Sequence, residues 1–194
     1  MASYQSIRYN VDYGGKAGAL MPLATTTVSS STSTVSFTGG IDDTFDEYLI
    51  IVNSLHPSES ADLQMNFSAD TGSNYNVTKT SSVWLTWVAE SGGNPNNGYN
   101  TGADIAQGTG FFNITNVIVG DGDATASGWI RLYNPASTTF VKHFIADFQR
   151  MDSAHSAQMW TAGYANTTSA IDAFRFQMES GTIDTGTFEL YGVH

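Results

Sequence analysis

The chain contains no cysteine, which excludes disulfides, thiolate metal ligands and cysteine nucleophiles and leaves the redox compartment unmarked. Basic residues are scarce as well, seven Lys and Arg against eighteen Asp and Glu, for a net charge of −11. These seven (Arg8, Lys16, Lys79, Arg131, Lys142, Arg150 and Arg175) are scattered rather than clustered. A nucleic-acid binder meets its phosphate array with a basic stripe, and an anionic membrane surface asks for the same, so neither partner is expected. Charged residues of both signs amount to only 13%, so Ser, Thr, Asn and Gly must solvate the surface. Long hydrophobic runs are also missing. The longest, Tyr48–Val52, falls far short of the ~18–20 residues of a membrane helix. The first residues lack the basic region and apolar core of a secretory leader. A soluble protein is the expectation.

What is abundant points to strands. There are 19 Gly, 11 Phe, 9 Tyr and 4 Trp, with long runs of Thr and Ser, while Leu, Glu, Lys and Ala are too sparse for long helices. A length of 194 residues suits one domain, whose folding would bury roughly 70% of the unfolded surface. From Thr34 onward, short segments with strand patterning alternate with Gly-Gly, Asn-Pro, Asp-Gly and Asn-Gly steps where turns belong. Glu47–Leu55 is a nearly continuous apolar run suited to a central strand covered on both faces. Leu63, Met65 and Phe67 share one face of the next strand, and Trp84 and Trp87 take opposite faces of a later one. Near the end, Phe174, Phe176 and Met178 alternate with polar residues, as do Phe188 and Leu190, across a connection bracketed by Gly181 and Gly186. That pattern reads as a closing hairpin.

Counting the hairpin, ten strands are expected between residues 34 and 194. They suggest an all-β protein: an antiparallel β-sandwich, jelly-roll-like, with an extended N-terminal arm. A single closed barrel is the alternative. Residues 1–33 form the arm or linker and 34–194 the sandwich domain. In the arm, Ile7, Tyr9, Val11 and Tyr13 alternate with Arg8, Asn10 and Asp12, and a glycine-rich step and a Thr/Ser run follow. Such a stretch buries little apolar surface alone. It is either a free arm or one that adds a strand to a neighbouring subunit, which makes those four residues candidate partner contacts.

Catalytic patterns are thin. His56, His143, His155 and His194 form no local metal-binding pair. Asp152, Ser153 and His155 are too close in sequence for a nucleophile–base–orienter arrangement, and there is no Gly-x-Ser-x-Gly elbow. Gly108-Thr109-Gly110 precedes a strand, so no helix start is present to hold phosphate. Acidic loops at Asp42–Glu47 and Asp121–Asp123 offer oxygens of the kind Ca²⁺ takes, but neither follows the EF-hand spacing and both read as solvated turns. No catalytic residue, metal or cofactor is expected. Among the aromatics, Tyr75 and Tyr99 lie in Asn- and Gly-rich loops and are the candidates for sugar contact.

Several ordered blocks carry a resemblance. They are Phe37–Tyr48, Asn53–Pro57, Asn74–Thr78, Leu132–Pro135 with Val141–Phe144, and Ala162–Tyr164 through the closing segment. Together, over roughly residues 34–194, they resemble a family of tailed-bacteriophage virion structural proteins typical of marine and cyanobacterial phages. The resemblance implies a non-enzymatic component of the particle surface and brings no catalytic residues with it. A capsid decoration or cement subunit, as a homotrimer on the major capsid protein, fits a short acidic chain with an arm and no repeats. The alternative is a tail fibre or spike module that binds host-surface carbohydrate or receptor.

Overall fold

The computed structural model describes residues 20–93 and 95–193. Among them every regular element is a strand: β1 Leu20–Val28, β2 Thr34–Phe37, β3 Glu47–Pro57, β4 Leu63–Ser68, β5 Lys79–Ala89, β6 Asn96–Tyr99, β7 Phe112–Asn113, β8 Ala126–Tyr133, β9 Lys142–Asp152, β10 His155–Ala165, β11 Ala173–Met178 and β12 Ile183–Val193. They form two antiparallel sheets, one of eight strands in the order β1-β12-β3-β8-β9-β10-β5-β6 and one of four in the order β2-β11-β4-β7. The protein is a β-sandwich with unequal layers, unlike the paired four-stranded sheets of the simplest jelly roll.

The core lies where alternation puts it. Tyr48, Ile50 and Val52 of β3, Phe144 and Phe148 of β9, and Phe188 and Leu190 of β12 point from the large sheet toward Leu63, Met65 and Phe67 of β4 and Phe174 and Phe176 of β11. Aromatic rings bridge the layers: Phe176 lies 5.2 Å from Phe188, and Phe144 lies 5.4 Å from Phe67 and 4.9 Å from Phe112. Such pairs add to the burial of their apolar area. The small sheet is too narrow to cover β10, β5 and β6. There a second cluster forms from Val83, Met159, Leu85 and the loop residue Ala103, closed by hydrogen bonds from the Ile105 amide to Ser81 and from Thr161 to the Asn113 carbonyl.

Three expectations change. The closing segments do not form a hairpin. β11 pairs with β2 and β4 in the small sheet, whereas β12 pairs with β1 and β3 in the large one. Their apolar faces meet across the sandwich, and Gly181, at φ 70°, turns the chain between layers where a Cβ would press on Ser58 and Glu59. Secondly, residues 20–28 of the expected arm are β1, an edge strand with Met21, Leu23 and Ala24 packed on the core. Thirdly, β3 is central as expected, but no described strand lies over its outer face, where Leu49 is buried by its neighbours and Ile51 is half-buried.

Candidate docking face

The inner face of the large sheet is used by the core; the outer face is not covered by any described element. Register places one residue of each strand on a single line across it. Tyr99 of β6 faces Trp84 of β5, Trp84 faces Trp160 of β10, and Trp160 faces Asp147 of β9. Asp147 faces Trp129 of β8, and the line runs on through Ile51, Glu189 and Thr25. Directly opposed residues of an antiparallel sheet project to the same side. A neighbouring line carries Ala162, Ile145, Arg131, Leu49 and Tyr191. Three tryptophans, two tyrosines and four aliphatic side chains therefore share this face with Arg131, Leu49 among them being buried. Trp84 is 45% exposed, Tyr99 50% and Ile145 39%.

Polar groups on this face are already engaged. Gln158 donates to Asp147 at 2.7 Å. Arg131 pairs with Glu47 at 2.5 Å, with its guanidinium carbon 5.6 Å from the Trp129 ring centre. A shallow groove of about 420 Å³ runs beside Trp129, lined by Leu49, Ile51, Asn53, Ser127 and Arg131. Another, of about 330 Å³, lies between Val88, Gln149, Ser156 and Gln158.

The surface has the size and composition of a contact site. Eight strands ~4.8 Å apart span ~34 Å, and two to three rows along them give on the order of 700 Å². That is near the ~800 Å² per partner of a standard protein interface. Trp, Tyr and Arg are also the side chains that dominate binding energy.

Ile7, Tyr9, Val11 and Tyr13 lie outside the described residues. Tyr75 and Tyr99 are not brought together. Tyr99 begins the aromatic line and donates to Asp104 at 2.5 Å, an interaction that raises its pKa. Tyr75 sits by the small sheet with its hydroxyl buried and the Arg175 guanidinium 4.0 Å from its ring centre. Of the acidic loops, Asp42 is engaged internally: it accepts from the Thr44 amide and the Tyr48 hydroxyl, and its pKa is lowered chiefly by its hydrogen bonds with Thr44. Among the described residues no three His, Asp or Glu side chains group closely enough to hold a metal ion. His155 Nδ1 lies 3.2 Å from the Asp152 carbonyl in the β9–β10 turn.

Two buried charged clusters went unread in the sequence. Lys79 and Lys142 both face inward, either side of Ala165 in the register. Lys79 donates to the Val77 and Gly110 carbonyls at 2.9 and 2.7 Å, Lys142 to the Thr167 carbonyl at 3.0 Å, and burial lowers both pKa values, Lys79 to about 8. These lysines tie loop carbonyls to the sandwich. At the other end Asp62, buried beside Glu179 and Arg150, has its pKa pushed up to about 6.

Fold and surface thus define an all-β sandwich in which the described residues cover one broad face of the large sheet and leave the other open. No protein-family model, curated protein or solved structure matches the chain.

Proposed function

We propose that this protein is a non-enzymatic structural subunit of a phage particle, a capsid decoration or cement protein that reinforces the head through subunit contacts. The observation that carries the reading is the open aromatic and aliphatic face of the eight-stranded sheet. A flat surface of that size without a deep pocket suits another flat protein surface better than a small substrate. The resemblance of residues 34–194 to phage virion proteins supplies the setting. The partner is the major capsid protein, with sister copies around a threefold axis. Phage heads stripped of the protein and incubated with purified subunit test this: saturable binding is expected, and absence of binding to heads would overturn it.

The line Tyr99–Trp84–Trp160–Trp129, with Asp147 and Gln158 between the rings, favours a second reading. Aromatic rings across a sheet also suit the faces of sugar rings, as in a tail module that holds host-surface carbohydrate. Adsorption of host cells blocked by the purified protein, with no binding to heads, would favour it over the first.

A further inference from the structure

We infer that the outer edge of β1 receives residues 5–13 of a second copy as an added antiparallel strand, linking neighbouring subunits. This rests on the subunit reading above. β1 is the terminal strand of the large sheet, and among the described residues nothing pairs with its other edge. An unpaired edge is ordinarily blunted by charge, brevity or proline. The other three sheet edges follow that rule: β6 and β2 have four residues each, β6 directly after Pro95, and β7 has two. β1 has nine residues, Leu-Met-Pro-Leu-Ala-Thr-Thr-Thr-Val, and no charged side chain, in a chain of net charge −11; its one proline, Pro22, blunts only the first part and leaves Ala24–Val28 as the open stretch. Such an edge offers a row of free backbone donors and acceptors, with Thr25 and Thr27 exposed beside it.

The segment that suits this edge lies just upstream. Residues 5–13 are long enough to cover Ala24–Val28 and alternate apolar Ile7, Tyr9, Val11 and Tyr13 with polar residues. Residues 14–19 then lead to Leu20, with glycine at 14, 15 and 18; extended, six residues reach ~20 Å. That length reaches a neighbour as well as the chain's own edge, and β1 itself decides between them. A hairpin within one chain would begin pairing at the start of β1. There Pro22 has no N–H, and the register breaks between Pro22 and Ala24. The regular stretch Ala24–Val28 lies at the far end, where a strand from a second copy can enter freely. Each copy gives one segment and accepts one, a head-to-tail exchange that forms a ring where the rotation between neighbours closes.

Because the chain has no cysteine, single-cysteine variants report this contact cleanly. Full-length Tyr9→Cys, Asn10→Cys and Val11→Cys proteins are each mixed with Thr27→Cys and mildly oxidised. The reference is Thr27→Cys mixed with Thr101→Cys, whose site lies in an exposed loop after β6. At least one of the three mixtures should yield severalfold more covalent dimer than the reference. Dimer at the reference level in all three would overturn the proposal. So would ring closure within one chain in the Val11→Cys/Thr27→Cys double variant without linked pairs. Head binding is scored separately. Binding without cross-links defeats strand exchange alone, whereas cross-links without binding defeat the virion reading alone.

Discussion

Replacing Asp62 by Asn should stabilise the protein at neutral pH and remove a pH dependence that the native chain carries. Asp62 is 7% exposed; its Oδ2 accepts from Asn113 at 2.5 Å, and its Oδ1 has no donor among the described residues. Burial, and secondarily the Glu179 charge, raise its pKa from 3.8 to about 6, against the opposing pull of Arg150 and Asn113. The folded state therefore holds the proton more tightly than the unfolded one. The added stability is complete below pH ~3.8 and is lost as pH rises through about 6. At 1.36 kcal/mol per pH unit, the gap between 3.8 and about 6 corresponds to about 3 kcal/mol. Asparagine keeps the shape and never ionises. Urea titrations between pH 4 and 8 should find Asp62→Asn more stable than wild type by about 2–3 kcal/mol above pH 7, with the difference nearly gone at pH 4. A variant less stable at pH 7, or a difference equal at both ends, would refute the reasoning.

The buried lysine gives the opposite slope. Lys79 titrates at about 8 when folded and at 10.5 otherwise, so the unfolded state binds the extra proton and native stability should climb between those values. Lys79→Met should flatten that climb in urea midpoints at pH 7.5, 9 and 10; an unchanged slope would contradict the burial argument. Phe176→Ala removes the ring that meets Phe174 and Phe188 and should cost about 3–5 kcal/mol by the same titration. At Gly163 a Cβ would stand 2.3 Å from the Thr80 carbonyl and 2.7 Å from the Phe144 ring. Gly163→Ala should therefore destabilise by about 1–3 kcal/mol, visible as a lowered Tm; a neutral result would mean that β5 and β10 separate easily there.

Much of the fold was legible because alternation reports directly on burial. Leu63, Met65 and Phe67 read as one buried face and are fully buried, and Trp84 and Trp87 project to opposite sides of β5. Alternation says which face is covered but not which strand lies alongside. That is why β11 and β12 read as a hairpin: the short polar connection looks the same whether it joins partners in one sheet or crosses between two. β1 was hidden for another reason. Its Thr-rich half has little apolar contrast, and an edge strand needs little. The docking face was illegible as a unit. Its aromatics come from β5, β6, β8 and β10, and only the sheet order puts them on one line. The buried Asp62 and Lys79 gave no sequence signal either, since their partners are backbone carbonyls and residues distant in the chain.

The most direct test of the account is the affinity of a Trp84→Ala/Trp160→Ala variant for stripped phage heads, measured beside wild type. Trp84 is 45% exposed and Trp160 is half-buried beside it on the same face, so the urea midpoint is measured in parallel and the comparison is made with the folded variant. Two central tryptophans of an interface, at about 2 kcal/mol each, should together weaken binding by roughly 10²–10³-fold. A folded variant that binds heads as tightly as wild type would contradict the assignment of this face as the docking surface.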